Sequence, residues 1–338
     1  MSAEVVTAVA VEEITTTDAP GALRDEWSAL WSRCPGATPF QAPEWLIPWW
    51  RAFGDGVPWT LALRHEGRLV GLVPLFLPAP RGRTVLLVGT GNTDLLDALV
   101  EPGFEGRGAE AAFAHLAANA DRWDACDFQQ LREGSPLLRA GAPAGWADGV
   151  VAQDVCPTLD LPDGIPIGRL KRLRSERRRA GRVGPVRFER ADQSNFATLF
   201  PEFLRLHEAR WSAQGQPGVL HDPIVRRFHE EAASAFLRAG MLRLYVLFVD
   251  SRAIASFYGF AGRSRMFYYL GGFDPEFASL SPGTLIVGYA IEEAVREGAE
   301  AFEFLRGREP YKYGWGAKDR LNVRRLIDRE PAKRGPSP

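Results

Sequence analysis

Two stretches of the chain show the alternation of apolar and polar residues that is typical of paired strands. The stretch "WTLALRHEGRLVGLVPLFL" (59–77) predicts a strand, a tight turn at Glu66-Gly67 and a second strand. The stretch "LRLYVLFVDSRAIASFYGF" (242–260) has the same form, with its turn at Asp250-Ser251. Two similar hairpins, one in each half of the chain, indicate an internal repeat.

The segments around the hairpins repeat as well. A helical pattern and then an apolar-acidic strand follow each hairpin, at 109–131 and at 283–305. Helical patterns also precede the hairpins, at 21–34 in the first half and at 196–211 and 223–240 in the second. The sequence therefore predicts an α/β (α+β) fold with two mixed-sheet units in tandem and helices on both faces of each sheet.

The expected domain boundary lies where the periodicity stops. Pro157, Pro162 and Pro166, with two glycines, interrupt any regular element there. We expect an N-terminal domain at 1–155, a linker at 156–168, a C-terminal domain at 169–330 that binds the donor, and a disordered tail at 331–338.

The helix after the second hairpin has clear end signals. Ser281 is a suitable N-cap, Pro282 suits the first helical position, and Gly298 suits the C-terminal end. The N-terminus of a helix carries free N–H groups and a partial positive charge. The segment before this helix is therefore a predicted site for a phosphate or a carboxylate.

Composition excludes several classes of protein. The 338 residues are 46% hydrophobic, yet no window of 18 apolar residues occurs, which predicts no membrane span. The first residues lack the basic and apolar regions of a signal peptide. Cys34, Cys126 and Cys156 are odd in number and far apart, which favours a reducing cytoplasm. Net charge is −1, and no spacing of His, Cys, Asp or Glu indicates a metal site.

The order of strand, hairpin, loop, capped helix and final strand is similar to the core of GNAT acyltransferases. Four stretches carry a narrower resemblance: "TPFQAPEWLIPWWRAFG" (38–54), "GTGNTDLLD" (89–97), "HEARWSAQGQPG" (207–218) and "FLRGREPYKYGWG" (304–316). Together they resemble bacterial double-GNAT proteins known as CelD or BioF-like acetyltransferases, which are related to the FemABX aminoacyltransferases. The GNAT pyrophosphate signature is missing from the second half, where "SLSPGT" stands instead.

This resemblance implies a donor site in the C-terminal unit and acyl-CoA, most simply acetyl-CoA, as co-substrate. An aminoacyl-tRNA donor, as in the Fem relatives, remains open. The residues expected to bind the donor are Ser279, Leu280, Ser281, Gly283, Thr284 and Arg306.

Acyl transfer needs a group that accepts a proton from the acceptor, donors for the oxyanion, and an acid for the leaving group. The catalytic candidates are Tyr269, Glu303, Tyr311, Lys312 and His207. Strand alternation in "RMFYYLGGF" (265–273) places Tyr268 and Tyr269 on opposite faces, so at most one of them faces a given cleft.

The acceptor is expected to be an amine or hydroxyl of a small molecule, or of a glycan or cell-wall precursor, held in a cleft between the units. The residues expected to bind it are Gln41, Trp45, Asn92, Asp94, Arg210, Trp211 and Tyr258.

One basic run leaves other functions open. The segment "RLKRLRSERRRAGR" (169–182) is suited to nucleotide phosphates, an anionic lipid surface or tRNA, and it also suits a plain solvated helix. A Fem-like transferase that uses aminoacyl-tRNA is therefore an alternative hypothesis. A non-catalytic accessory protein of polysaccharide biosynthesis is another.

Overall fold

The computed structural model describes residues 8–15, 23–80 and 82–329. These form two compact units. Unit N contains the described residues up to Asp154 and those from Leu321 onward, and unit C contains Val155–Arg320.

Unit N is built from two sheets and three α-helices. The helices are α1 (Arg24–Arg33), α2 (Pro43–Phe53) and α3 (Glu105–Ala118). The first sheet has the order β1-β3-β4-β7, and the second has the order β2-β5-β6-β8-β16-β9. The strands are β1 (Ala10–Ile14), β2 (Gly56–Pro58), β3 (Thr60–His65), β4 (Arg68–Val73), β5 (Leu75–Pro78), β6 (Thr84–Leu87), β7 (Leu99–Val100), β8 (Ala125–Arg132), β9 (Ala147–Val155) and β16 (Leu321–Asp328).

Unit C is built around one six-stranded sheet with the order β10-β15-β14-β13-β12-β11. Its strands are β10 (Thr158–Asp160), β11 (Val186–Arg190), β12 (Leu242–Val249), β13 (Arg252–Gly262), β14 (Arg265–Phe273) and β15 (Ala301–Glu303). Its helices are α4 (Ile167–Ala180), α5 (Phe196–Ser212), α6 (Pro223–Arg238), α7 (Pro282–Arg296) and the short α8 (Pro310–Gly314). All pairs in this sheet are antiparallel except β14 with β15.

These units differ in two places from the boundaries expected from sequence. Strand β16, which was expected in the C-terminal domain, pairs with β8 and so lies in unit N. The expected linker contains strand β10, which pairs with β15 in unit C. In both places backbone hydrogen bonds to a distant strand decide which unit a segment joins. The expected tail at 331–338 lies outside the described residues.

The mixed α/β architecture and both hairpins agree with the sequence predictions. Strands β3 and β4 pair on either side of Glu66 and Gly67, which have φ of 51° and 79°. Two positive φ angles in succession are typical of the tight turns that match the twist of a hairpin. Strands β12 and β13 pair in the same way around Asp250, whose φ is 56°.

Helix α7 packs into the core of unit C by one apolar face. Leu285, Ile286, Ala290, Ile291 and Ala294 are all buried in one cluster with side chains of the sheet. A helix with a wide apolar face is stabilised chiefly by this burial. The packing fixes the position of the N-terminus of α7, which is the part that concerns the site.

Two general expectations can be compared with the described residues. In that part of the chain, no helix is both long enough and apolar enough to cross a bilayer. Cys34, Cys126 and Cys156 are buried free thiols.

Candidate active site

The sheet of unit C opens between its two parallel strands. Strands β14 and β15 pair only from Arg265 with Ala301 to Phe267 with Glu303. Beyond Glu303 the chain leaves the sheet, while β14 continues to Phe273. The last part of β14 therefore has no strand on that side, and the gap is available to a ligand.

A cavity of about 290 Å³ lies at this opening. Ser256, Tyr268, Gly272 and Phe273 line it from the sheet, and Tyr311 and Trp315 line it from the segment after β15. Its other lining residues are Arg169, Arg210, Ala278, Ser281, Pro282, Gly283, Thr284, Ile286 and Val287. Ligands of open α/β sheets commonly bind beyond strand ends in this way.

The N-terminus of α7 forms one wall, and no side chain caps it. Ser281 occupies the N-cap position, but its backbone is left-handed, with φ of 55° and ψ of 50°. Its hydroxyl does not cap the helix as predicted and instead accepts a hydrogen bond of 2.9 Å from Arg179. The backbone N–H groups of Gly283 and Thr284 have no acceptor within the described chain. This helix end can therefore bind an anion.

Two arginines add positive charge to the same cavity. Arg169 reaches Thr284 Oγ1 at 3.4 Å, and Arg210 reaches the carbonyl oxygen of Gly271 at 3.4 Å. Neither guanidinium has a carboxylate within 4 Å in the described residues, and no Asp or Glu lines the cavity. Burial lowers the pKa of Arg169, as expected for a desolvated cation. The cavity is consequently suited to an anionic ligand.

Several buried polar atoms of the cavity lack a hydrogen-bond partner among the described residues. They are Nε of Arg169, Nε of Arg210, Nε1 of Trp315 and Oγ of Ser256. Ser256 and Trp315 are each only 1% exposed. An unsatisfied buried polar group costs about 1–3 kcal/mol, so four of them around one cavity call for an explanation. Acceptor atoms of a ligand would satisfy them.

Two tyrosines, Tyr268 and Tyr311, also line the cavity and bring phenol hydroxyl groups to it. Tyr268 stacks on Phe257 with ring centroids 4.6 Å apart, while Tyr311 meets Phe304 edge-on. Burial is the main cause that raises the pKa of both phenols, and each is also raised by nearby acidic groups. Both hydroxyls therefore keep their protons at neutral pH and can donate them.

The adjacent Tyr269, which we predicted to be catalytic, faces the other side of the sheet. Its ring packs against His229, Tyr258 and Phe260. Tyr258 is fully buried in the same group, with its ring stacked on Phe203. The alternation argument was therefore correct, but the tyrosine that lines the cavity is Tyr268.

The predicted base His207 lies beneath the cavity wall rather than in it. It is 1% exposed, and burial lowers its pKa to about 4, with a smaller contribution from Arg210. Its helix α5 packs very close to β14: a Cβ on Gly272 would lie 2.2 Å from the backbone nitrogen of His207. Trp211 contacts the His207 ring and does not line the cavity.

The remaining catalytic candidates, Glu303 at the end of β15 and Lys312 in α8, make structural contacts. Lys312 is 2% exposed, and its Nζ donates to the carbonyl oxygens of Leu305, Arg306 and Gly307 at 3.1, 2.6 and 3.1 Å. Glu303 accepts a 2.6 Å hydrogen bond from Thr158. None of Lys312, Glu303 and Arg306 lines the cavity. Catalytic roles for Lys312 and Glu303 and a donor-binding role for Arg306 remain untested predictions.

Some of the residues predicted to bind the acyl donor or the acyl acceptor line the cavity, and the others do not. Ser281, Gly283, Thr284 and Arg210 line the cavity, whereas the exposed Ser279 and the buried Leu280 do not. In unit N, Trp45 is fully buried and donates to Thr93 Oγ1 at 2.9 Å. Gln41 lines a separate cavity of unit N. Asn92 and Asp94 lie on the loop between β6 and β7 and line neither cavity.

Four lining residues that carry polar side-chain atoms were not among the predicted site residues: Arg169, Ser256, Tyr268 and Trp315. Arg169 is the first member of the basic run, and Trp315 belongs to the aromatic stretch after β15, so both lay within segments already noted. Ser256 had no signal, because a serine in an apolar strand does not show which face it occupies.

Comparisons with known proteins support this view of the fold. Residues 168–313 match the family profile of the acetyltransferase (GNAT) domain. This segment holds every lining residue of the cavity except Trp315. The matched segment lies within unit C. No functionally curated protein matches the sequence.

Solved structures match nearly the whole chain at low sequence identity. FemX has a TM-score of 0.63 and 12% identity, covering 94% of this chain and 96% of its own. The C-terminal domain of a putative lysylphosphatidylglycerol synthetase from Agrobacterium fabrum has a TM-score of 0.60 and 14% identity, covering 93% of each chain. A tandem GNAT protein of the clavulanic acid pathway has a TM-score of 0.50 and 14% identity, covering 96% and 100%. These matches establish the fold, namely two GNAT-like units in tandem.

Proposed function

We propose that this protein is an acyltransferase that moves an acyl group from acyl-CoA to an amine or hydroxyl of a small molecule or a glycan precursor. The observation that carries the proposal is the cavity of unit C, in which Arg169, Arg210 and the uncapped N-terminus of α7 meet without any carboxylate. The GNAT profile over the same residues supports the reaction class. The narrower CelD/BioF-like assignment and a cytoplasmic location belong to this proposal as well.

The lining residues fit part of an acyl-CoA molecule. The N–H groups of Gly283 and Thr284 and the two guanidiniums are suited to a pyrophosphate, and Nε1 of Trp315 and Oγ of Ser256 can meet further polar atoms. A volume of about 290 Å³ encloses only a portion of a ligand of this size. The remainder would lie outside the cavity.

Acyl-CoA supplies an activated acyl group as a thioester. The protein itself supplies positively charged groups and protonated hydroxyl groups at fixed positions. Tyr268 and Tyr311 retain their protons because burial raises both pKa values, so either hydroxyl can donate to an anion that forms in the cavity. No histidine or carboxylate lines the cavity to remove the acceptor's proton.

A thermal-shift titration with acetyl-CoA, longer acyl-CoAs and free CoA tests the donor. A ligand that binds only the native state raises the melting temperature. Gly283→Trp is the blocking variant, because a Cβ at this position meets only a Phe273 ring carbon at 3.9 Å and the larger ring would then occupy the cavity. Gly106→Trp, near the start of α3 where a Cβ meets nothing within 4 Å, is the matched control.

We expect a shift in the wild type and in Gly106→Trp that is lost in Gly283→Trp. A shift lost only in Gly106→Trp would move the donor site to unit N. No shift with any CoA compound would remove acyl-CoA as the donor.

One observation favours a second candidate, a Fem-like transferase that uses aminoacyl-tRNA. Lys171, Arg174 and Arg178 of helix α4, and Arg182 in the turn after it, are exposed to solvent, and none of them has a carboxylate partner among the described residues. Arg177, by contrast, is paired with Glu292 at 2.6 Å. A row of unpaired cations beside the cavity wall suits a long polyanion.

Binding of bulk tRNA at several salt concentrations tests this candidate. Replacing Arg174, Arg178 and Arg182 by Ala should weaken binding and reduce the salt slope by about 2 to 3. The control replaces the exposed Arg227 and Arg238 of α6. Absent or salt-independent binding would dismiss the tRNA donor, and failure of both donor tests would leave the accessory role.

A further inference from the structure

Unit N contains its own cavity, of about 220 Å³, which is the one that Gln41 lines. Its lining comes from the segment after α1, from the segment between Asp97 and Glu105 that includes β7, and from the segment between Arg132, at the end of β8, and Arg139. Because liquid water occupies about 30 Å³ per molecule, this volume corresponds to about seven waters. The space is therefore sufficient for a small metabolite.

The carboxylate of Asp97 lines the cavity, and hydrogen bonds hold only one of its two oxygen atoms. Oδ1 of Asp97 accepts hydrogen bonds from Ser135 Oγ at 2.6 Å and from the backbone N–H of Ala98 at 2.8 Å. Both bonds go to the same oxygen, and Oδ2 has no partner in the described chain. Ser135 is itself 1% exposed, so the carboxylate is fixed from below and its second oxygen is available to a ligand.

Two arginines line the cavity, the exposed Arg139 and the more buried Arg132, and Arg132 has no partner among the described residues. Arg132 makes no side-chain hydrogen bond and no ion pair within the described residues, and its Nη1 is buried. Although Arg132 and Asp97 line the same space, no N–O pair between them lies within 4 Å. Leaving a buried N–H unsatisfied is costly, so a ligand acceptor atom is expected beside it.

This combination differs from the cavity of unit C, where only positive charge is found. Glu105, in the first turn of α3, adds a second carboxylate to the lining of this cavity and accepts a hydrogen bond from the backbone N–H of Gly103 at 2.8 Å. A purely anionic ligand would therefore meet carboxylates, and a purely cationic ligand would meet Arg132. Only a ligand that carries both charges satisfies both open groups.

We propose that the cavity of unit N binds a small zwitterion, with an ammonium group on Asp97 Oδ2 and a carboxylate on the Arg132 guanidinium. The chemical class is a free amino acid or a short amino-alkyl carboxylate. Charged hydrogen bonds of this kind are among the stronger polar contacts, and the low local dielectric strengthens them. This site is independent of the donor site in unit C and of the reaction proposed there.

Isothermal titration calorimetry on the full chain at pH 8 tests the assignment. The probes are glycine, L-alanine, L-glutamate, β-alanine and 4-aminobutyrate, which differ in the spacing of their charges. Ethylamine and propionate are the single-charge controls. We expect at least one zwitterion to bind with 1:1 stoichiometry and each single-charge compound to bind at least about tenfold more weakly.

Asp97→Asn and Arg132→Met are the site variants. Asparagine keeps an acceptor for Ser135, which protects the fold, and each variant should raise the Kd of the zwitterion at least about tenfold. Glu133→Gln, exposed and outside the cavity lining, is the control and should not change it. The analogue series needs no variant and so still decides the matter if a variant fails to fold.

The pH dependence gives a further readout. Burial raises the pKa of Asp97 to about 7, although Ser135, Ala98 and Arg132 each act to lower it. The other ionisable groups that line the cavity are Cys34, Glu105, Arg132 and Arg139. Binding should weaken several-fold from pH 8 to pH 6, since the protonated carboxyl no longer attracts an ammonium. No binding by any of the five zwitterions, equal binding of a single-charge compound, or unchanged affinity in either site variant would overturn the assignment.

Discussion

The guanidinium of Arg169 lies over the indole ring of Trp315, with its central carbon 4.1 Å from the ring centroid. Arg169 belongs to the basic helix α4, and Trp315 follows the short helix α8. The contact therefore joins two segments that flank the same cavity. Stacking on an aromatic face holds a guanidinium in place without neutralising its charge. The cation is thus positioned in advance for an anionic ligand.

Replacing either cavity arginine should weaken donor binding. A hydrogen bond to a charged group contributes about 1.5–3 kcal/mol, so Arg169→Met or Arg210→Met should raise the Kd for acetyl-CoA about tenfold or more. Arg238→Met, on an exposed position of α6, should leave it unchanged. Calorimetric titration measures all three. A change of less than about twofold in both cavity variants would show that these guanidiniums do not bind the donor.

Removing the Tyr311 hydroxyl should slow the chemical step and leave the affinity for acetyl-CoA almost unchanged. A positioned proton donor contributes about 10²- to 10⁴-fold, so Tyr311→Phe should lower kcat within that range while the Kd for acetyl-CoA stays within about twofold. Tyr268→Phe tests the other phenol in the same assay. Because burial raises both pKa values, wild-type activity should show no loss from tyrosine ionisation below about pH 10. Unchanged kcat in both variants would exclude an acid role for either residue.

Lys312 should prove to be a structural residue. Its Nζ serves three main-chain carbonyls and also pairs with Glu309 at 2.9 Å. Lys312→Met leaves those carbonyls without a donor, so the free energy of unfolding should fall by about 2–4 kcal/mol in urea denaturation.

The control for this change is Lys318→Met. That lysine is 72% exposed and pairs with Asp160 on the surface, so its loss should matter by less than about 0.5 kcal/mol. Wild-type stability in Lys312→Met together with lost turnover would instead support the catalytic role predicted from sequence.

Buried histidines should make the protein sensitive to acid. Burial lowers the pKa of His229 to about 3, whereas an unfolded histidine titrates near 6.5. The unfolded state therefore binds the extra proton first, and the stability contributed by neutral His229 is complete above about pH 6.5 and lost as the pH falls toward 3.

Between pH 7 and pH 5 this histidine alone should cost about 2 kcal/mol. Urea denaturation of His229→Gln should show a loss smaller by that amount, while His221→Gln, at an exposed position, should match the wild type. Identical pH dependence in His229→Gln and the wild type would mean that folding does not lower the pKa of His229.

Local pattern was enough to predict the hairpins and helix α7, because each depends on neighbours close in sequence. Glu66-Gly67 fixes a turn by its backbone preferences, and the apolar stripe of α7 repeats with the helical period. The N-terminus of α7 was predicted as an anion site from its end signals, with Ser281 as N-cap and Pro282 at the first helical position. The left-handed backbone of Ser281 was not predicted; it leaves the helix uncapped, and the hydroxyl accepts a hydrogen bond from Arg179 of another helix instead.

Local sequence pattern was not sufficient to identify the site residues. Alternation separated Tyr268 from Tyr269, but only the packing of α5 and α6 decides which face of β14 borders the cavity. The partners of Lys312 are carbonyl oxygens, and these are identical in every residue type. Consequently a lysine that ties down a loop and a lysine that meets a substrate are indistinguishable in one sequence.

Strand β16 determines which of the two units can finish folding first while the protein is synthesised. It lies between β8 and β9 in the sheet of unit N, yet it follows the whole of unit C along the chain. Until the ribosome has released residues 321–328, β8 exposes one strand edge and β9 has no neighbouring strand in this sheet. Unit C is therefore expected to become resistant to protease first on stalled nascent chains, and the half of the protein that is translated first is the half that finishes folding last.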